Sequence, residues 1–239
     1  MNDLPNILRS VASIGERRAA LHALAREGRQ LASALIASPA SIEELERATD
    51  SLRSIVSGLP KLSEAPPPFL PDQHSETFSD QSPVIGLANI TAPPASLQLV
   101  DNAVEGTVVF DVCYEGPPGH VHGGWIAAMF DEVLGMAQAL SSKPGMTAKL
   151  EVNYRRPIPL HTPIFFRGTL DSVDGRKIYT SARSYNRETD ETYAEAHGLF
   201  ISVEFDRFRS STRPDGMGHA NLAQQHPSDP QHHGAMGDL

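Results

Sequence analysis

The stretch from Gly123 to Leu140 most limits what this chain can fold into. Ile126, Ala127, Phe130, Val133, Leu134, Ala137 and Leu140 recur at helical spacing and make a wide apolar face. Ala128, Met129, Gly135 and Met136 leave little of the opposite side polar. A helix that is apolar nearly all round has no face to give to water and must sit inside its domain. The neighbouring sequence supplies the cover. Val104 to Tyr114 alternates with Val108, Phe110 and Val112 on one side, as a half-buried strand does. Four more strand-like runs follow the helix, at 147–155, 162–173, 176–187 and 192–204. Asp174-Gly175 is a tight-hairpin signal between the second and third of them, and Glu188-Thr189-Asp190-Glu191 turns the third into the fourth. One strand, a buried helix and four antiparallel strands predict an α+β domain over 83–205, a curved antiparallel sheet wrapped around a long central helix.

The flanks differ in character. Residues 1–60 form an N-terminal helical extension. Leu8, Val11, Ile14, Leu21, Leu24, Leu31 and Leu35 mark its first helix, and Ser38-Pro39-Ala40 breaks it. Ser41 and Glu44 have capping-box spacing, and Ile42, Leu45, Leu52, Ile55, Val56 and Leu59 stripe the second helix. Such a hairpin packs on its own domain or on a partner copy. Residues 61–82, with Pro66-Pro67-Pro68 and Pro71, read as a linker. Residues 206–239 hold few large apolar side chains and read as a disordered tail. Its His219, His226, His232 and His233 lack regular ligand spacing.

Composition narrows the function. A net charge of -9 does not favour a nucleic-acid backbone as partner. No apolar run approaches the roughly 20 residues that span a bilayer, so no stable membrane insertion is expected. No continuous apolar core of a signal peptide is present, and a cytoplasmic location is the expectation. The single cysteine, Cys113, rules out an intrachain disulfide and a multi-cysteine metal site. Neither a metal nor a cofactor is expected.

Candidate chemistry gathers where the central helix begins. Glu115-Gly116-Pro117-Pro118-Gly119-His120-Val121-His122-Gly123-Gly124 leads straight into it. The bare amides of Gly123 and Gly124, at a helix N-terminus, can receive an oxygen that gains negative charge. Asp131 interrupts the apolar pattern further along, with Glu132 beside it as the candidate solvent-facing neighbour, and is a candidate base or nucleophile. Eight residues of helix separate Gly123 from Asp131, a rise of roughly 12 Å. One carbonyl carbon cannot touch both within one helix. If both serve one site, the carboxylate comes from a second copy, which implies a two-fold dimer with two interfacial sites. Simple alternation in strand 147–155 places Ala148, Leu150, Val152 and Tyr154 on one face and Thr147, Asn153 and Arg155 on the other.

These motifs, together with Asn153-Tyr154-Arg155-Arg156-Pro157-Ile158-Pro159 and Val173-Asp174-Gly175-Arg176-Lys177, resemble the hotdog-fold acyl-CoA thioesterases. The nearest branch is the phenylacetate-pathway and thioesterase-superfamily-member type. The resemblance covers 83–205. It implies hydrolysis of acyl-CoA to an acid and free coenzyme A, by a homodimer or a tetramer built as a dimer of dimers. Gly123 is then the oxyanion-hole amide with Gly124 beside it, and His122 shapes the turn. Asp131 is general base or nucleophile, and Thr147 orients the water. Asn153, Arg155, Arg176 and Lys177 are the family-matched candidates for binding the coenzyme A part of the substrate. Some branches carry Asn or Gln before the His to polarise the carbonyl, where this chain has Gly116.

Two other readings stand beside hydrolysis. One is a hotdog protein that binds or senses acyl-CoA without turnover. The other makes the N-terminal hairpin a partner-docking module. Trp125, Met129 and Phe130 could line an acyl tunnel, although such residues in a buried helix more often form core.

Overall fold

The computed structural model describes residues 16–36, 38–59 and 79–203. Leu8, Val11, Ile14, most of the proline-rich linker and the histidine-bearing tail lie outside the described residues. The order is α1 (Glu16–Ile36), α2 (Ile42–Gly58), β1 (Ala95–Val100), β2 (Ala103–Val109), α3 (Gly123–Ala139), β3 (Gly145–Tyr154), β4 (Pro163–Asp174), β5 (Lys177–Tyr185) and β6 (Thr192–Ser202). The six strands make one antiparallel sheet in the order β1-β2-β4-β5-β6-β3.

The expected sheet around a central helix is present, and α3 packs against β2 through β6. Ile126, Met129, Phe130, Val133, Leu134 and Ala137 are buried against Val104, Val108, Phe110, Ile164, Phe166, Ile178, Ala196 and Phe200. Phe130 meets Phe166 edge to face, with ring centroids 5.2 Å apart. This is a hotdog fold. Met129 and Phe130 are fully buried, and Trp125 stands edge-on to Tyr114 at 5.0 Å. These three side chains belong to the packing around α3 in the isolated chain.

Two details differ from the sequence expectation. Two strands precede α3, not one. Asp101 and Asn102 take φ of +47° and +60°, so the two-residue loop turns β1 back onto β2. The expected strand 104–114 also stops at Val109, and Val112–Tyr114 forms a 3-10 turn. Asp111 makes that turn by accepting from the Val112 amide at 2.7 Å. At the other expected hairpin Asp174 pairs with Lys177, and Gly175 takes the first loop position with φ +57°.

Helix α1 packs on the sheet domain. Arg18 pairs with buried Asp80, His22 lies 3.1 Å from the same carboxylate, and Arg29 donates to the Asn89 carbonyl at 2.9 Å. The Ser33 hydroxyl donates to Asp111 at 2.7 Å and holds that carboxyl below its usual range. The Ser41–Glu44 capping box opens α2. Every residue of α2 is exposed, apolar ones included.

Candidate active site

The approach to α3 is pinned by backbone hydrogen bonds. The His120 amide donates to Pro117 and the Gly116 amide to His120, both at 2.9 Å, around Gly119 at φ +76°. Glu115 accepts from the Gly119 amide at 2.6 Å. The amides of Val121 and His122 then donate to Ile158 and Tyr114, fixing the last residues before the helix. Gly116 is needed for a close approach: a Cβ there would lie 2.7 Å from the His122 Cα. An Asn or Gln at 116 cannot be housed without moving the loop that positions the helix start.

His122 is the N-cap of α3, and its Nδ1 accepts from the Gly124 amide at 3.0 Å. A ring nitrogen that accepts is unprotonated, so the neutral ring carries its proton on Nε2. The two glycine amides are therefore not equivalent. The Gly124 amide is engaged by the histidine, whereas the Gly123 amide has no partner among the described residues. The Gly123 carbonyl accepts from the Tyr154 hydroxyl at 2.8 Å. Partial burial raises the Tyr154 pKa, which keeps that hydroxyl a donor at neutral pH. Tyr154 is a site contact that the sequence reading assigned only to a strand face.

Asp131 lies two turns along α3 and is partly exposed. Its Oδ1 accepts from the Thr147 hydroxyl at 2.9 Å. The strand carrying Thr147 holds a bulge between Thr147 and Lys149. Before it Thr147 pairs with Phe200; after it Leu150, Val152 and Tyr154 pair with Gly198, Ala196 and Ala194. Paired residues share a face, so Thr147 joins Leu150, Val152 and Tyr154 on the side toward α3, and Asn153 points away. The uniform alternation expected from the sequence, with Thr147 and Asn153 together, is overturned by that one extra residue.

Glu132 reverses another expectation. It is half-buried rather than solvent-facing, accepts from the Ser82 hydroxyl at 2.8 Å, and burial pushes its pKa up. The segment before β1 covers this side of α3, which the helix sequence alone does not reveal.

The basic candidates fall at opposite ends of the β3–β6 ladder. Asn153 pairs with Glu195, and Arg155 binds the Glu195 carboxylate at 2.9–3.0 Å. Lys177 pairs with Ile201, and Arg176 donates twice to the Ser202 carbonyl at 3.2 Å. Six residues of β6 separate these places, about 20 Å at strand rise. One end thus gathers Asp131, Thr147, Arg176 and Lys177. The other gathers His122, Gly123, Gly124, Tyr154, Asn153 and Arg155. Helix α3 runs antiparallel to β3 between them.

A family model described as Thioesterase superfamily matches residues 118–193, which include the helix start, Asp131 and Thr147. A crystal structure of a thioesterase superfamily protein is 37% identical and superposes with a TM-score of 0.66, covering 76% of this chain and 94% of that one. The chain belongs to the thioesterase superfamily. Among curated proteins it is similar to acyl-coenzyme A thioesterase THEM4 of Xenopus laevis, 37% identical over 89 residues, which is 37% of this chain and 40% of that protein. THEM4 of Bos taurus is 38% identical over 98 residues, 41% of this chain and 39% of that protein. The matched stretch spans about 40% of the length of these curated relatives. Among the described residues no helix is long and apolar enough to cross a membrane.

Proposed function

We propose that this protein hydrolyses the thioester of acyl-CoA, releasing an acid and free coenzyme A, at sites shared between two copies. The observation that carries the reading is the hydrogen bond from Thr147 to Asp131. It occupies one carboxylate oxygen and fixes the other in a defined direction, as a group that must take a proton from water requires. The Gly123 amide, without a partner among the described residues, receives the carbonyl oxygen as it gains charge. These two parts sit about 12 Å apart on one helix, so each site joins Gly123 of one copy to Asp131 of the other.

The edge of β3 supports a route to that assembly. No described residue pairs with its outer side, and Met146 and Tyr154 are about half exposed. Two such edges related by a two-fold axis run antiparallel. The Gly145 end of one strand then lies beside the Tyr154 end of the other, which brings together the two clusters that one chain holds apart. Asn153 and Arg155 of one copy and Arg176 and Lys177 of the other would then flank one substrate groove, suited to the phosphates of coenzyme A.

The test is complementation. His122 is extended, with ψ 131°, and Gly123 is the first helical residue, so Gly123→Pro removes the amide hydrogen at a position that tolerates proline. Chains carrying Gly123→Pro or Asp131→Ala are each expected to be inactive. Co-expressed, half of the dimers are mixed and each mixed dimer regains one of two sites. Activity then returns to about one quarter of wild type. No recovery in demonstrably mixed dimers rejects the shared site.

Acyl-CoA binding without turnover is the second reading. Gly116 leaves no room for a polarising side chain, and the Gly124 amide is occupied. Saturable acyl-CoA binding with no released thiol, across aromatic and short to long acyl chains, selects that reading.

A further inference from the structure

Helix α2 carries a pattern that neither the sheet domain nor the thioester reading uses. Ile42, Leu45, Thr49, Leu52, Val56 and Leu59 follow a 3-4-3-4-3 spacing, the seam of a coiled coil. None is buried; Ile42 is 76% and Val56 70% exposed. The one polar member brings no unpaired hydroxyl to the seam, because the Thr49 hydroxyl donates to the Leu45 carbonyl at 2.8 Å.

We propose that α2 pairs antiparallel with α2 of a second copy. The pattern is self-complementary in that direction. Turned end for end about a point between Asp50 and Ser51, Leu45 meets Val56 of the second copy and Thr49 meets its Leu52. The Ile42 layer meets Leu59, the residue just past the helix end. On one flank Glu46 then lies beside Arg53 of the other copy, twice by symmetry; on the other flank Ala48 lies beside Ile55. Glu46 has no partner among the described residues. Arg53 binds its own Asp50 at 2.9 Å and keeps further guanidinium donors for a second carboxylate. A parallel pair loses this match, since flank contacts there would join the e positions, Glu46 and Arg53, to Ala48 and Ile55 at g. A seam of two heptads is weak alone and adds its contact to other contacts between copies. The pairing does not depend on whether the sheet domain hydrolyses a thioester.

A cross-link reads the contact and its register whatever else joins the copies. Full-length chains carrying Thr49→Cys and chains carrying Leu52→Cys, with Cys113→Ser in both, are co-expressed and mildly oxidised. Disulfide between the two kinds of chain is expected to outrun the links within either kind. Glu46→Arg in both chains sets Arg against Arg and is expected to slow linking roughly tenfold, by the scale of helix-surface ion pairs. Glu46→Arg in one chain with Arg53→Glu in the other restores opposite charges and recovers the rate. No linking in the first mixture, or the same rate in all three, overturns the pairing. Because no residue of α2 is buried, an unchanged melting temperature of the sheet domain accompanies every variant.

Discussion

The Thr147 hydroxyl donates to Asp131 Oδ1 at 2.9 Å, across the gap between the edge strand β3 and the central helix α3. The contact exists because the strand is bulged. Without the extra residue at Ala148, Thr147 would fall on the face away from α3, with Asn153. The bulge therefore aims one hydroxyl at one carboxylate, and two consequences can be measured.

Thr147→Val keeps the β-branched shape that a strand favours and removes only the donor. Acyl-CoA hydrolysis is expected to fall about tenfold to a hundredfold in kcat, the scale of one hydrogen bond to a charged group. Asp131→Ala is expected to lose more, about 10²–10⁴-fold, as loss of a general base does. Thiol-release kinetics at saturating substrate checks both. A valine variant as fast as wild type removes Thr147 from the reaction.

Tyr154→Phe deletes the hydrogen bond to the Gly123 carbonyl and leaves the ring in place. Because the contact is half exposed, a stability loss of about 1 kcal/mol or less is expected in urea titrations. The helix start also loses a tether, so kcat is expected to drop several-fold with little change in KM. A change confined to KM would show that the hydroxyl holds substrate instead of positioning the amide.

Gly116→Ala pushes a methyl toward the His122 backbone, 2.7 Å away. Overpacking of this kind costs about 1–3 kcal/mol, and it falls on the loop that sets the Gly123 amide. Lower stability together with lower kcat is expected, whereas Gly175→Ala, strained by its own φ but far from the helix start, is expected to lower stability only.

Glu132 gives the fold a signature in pH. Burial raises its folded pKa above the unfolded value, so the folded state holds the proton more tightly. That contribution is complete below the ordinary glutamate pKa and is lost as pH climbs through the raised one. Glu132→Gln keeps an acceptor for Ser82 and carries no charge. Relative to wild type, the variant is expected to gain stability as pH rises from about 4.3 toward neutrality. Urea midpoints at a series of pH values test it; a constant difference across the series rejects the assignment.

The central helix and the hairpins around it are legible in the chain itself, because each rests on local chemistry. An all-round apolar helix must be buried, and Asp174-Gly175 marks a tight turn. The Ser41–Glu44 cap is equally local. Strand β1 was within reach of the same reasoning, through Asp101-Asn102 and the alternation of Leu97 and Leu99 with Ser96 and Gln98.

What the tertiary structure alone decided is which groups meet. A one-residue bulge, set by how β3 registers against β6, turned Thr147 toward Asp131. The segment before β1 gave Glu132 a partner in Ser82, while β3 gave Asp131 one in Thr147, although the two acids are neighbours in sequence. Antiparallel β3 and α3 put Tyr154 beside the helix start and Thr147 beside Asp131. Local sequence sets propensity and period; register, cover and distance arise only when segments remote in the chain pack together.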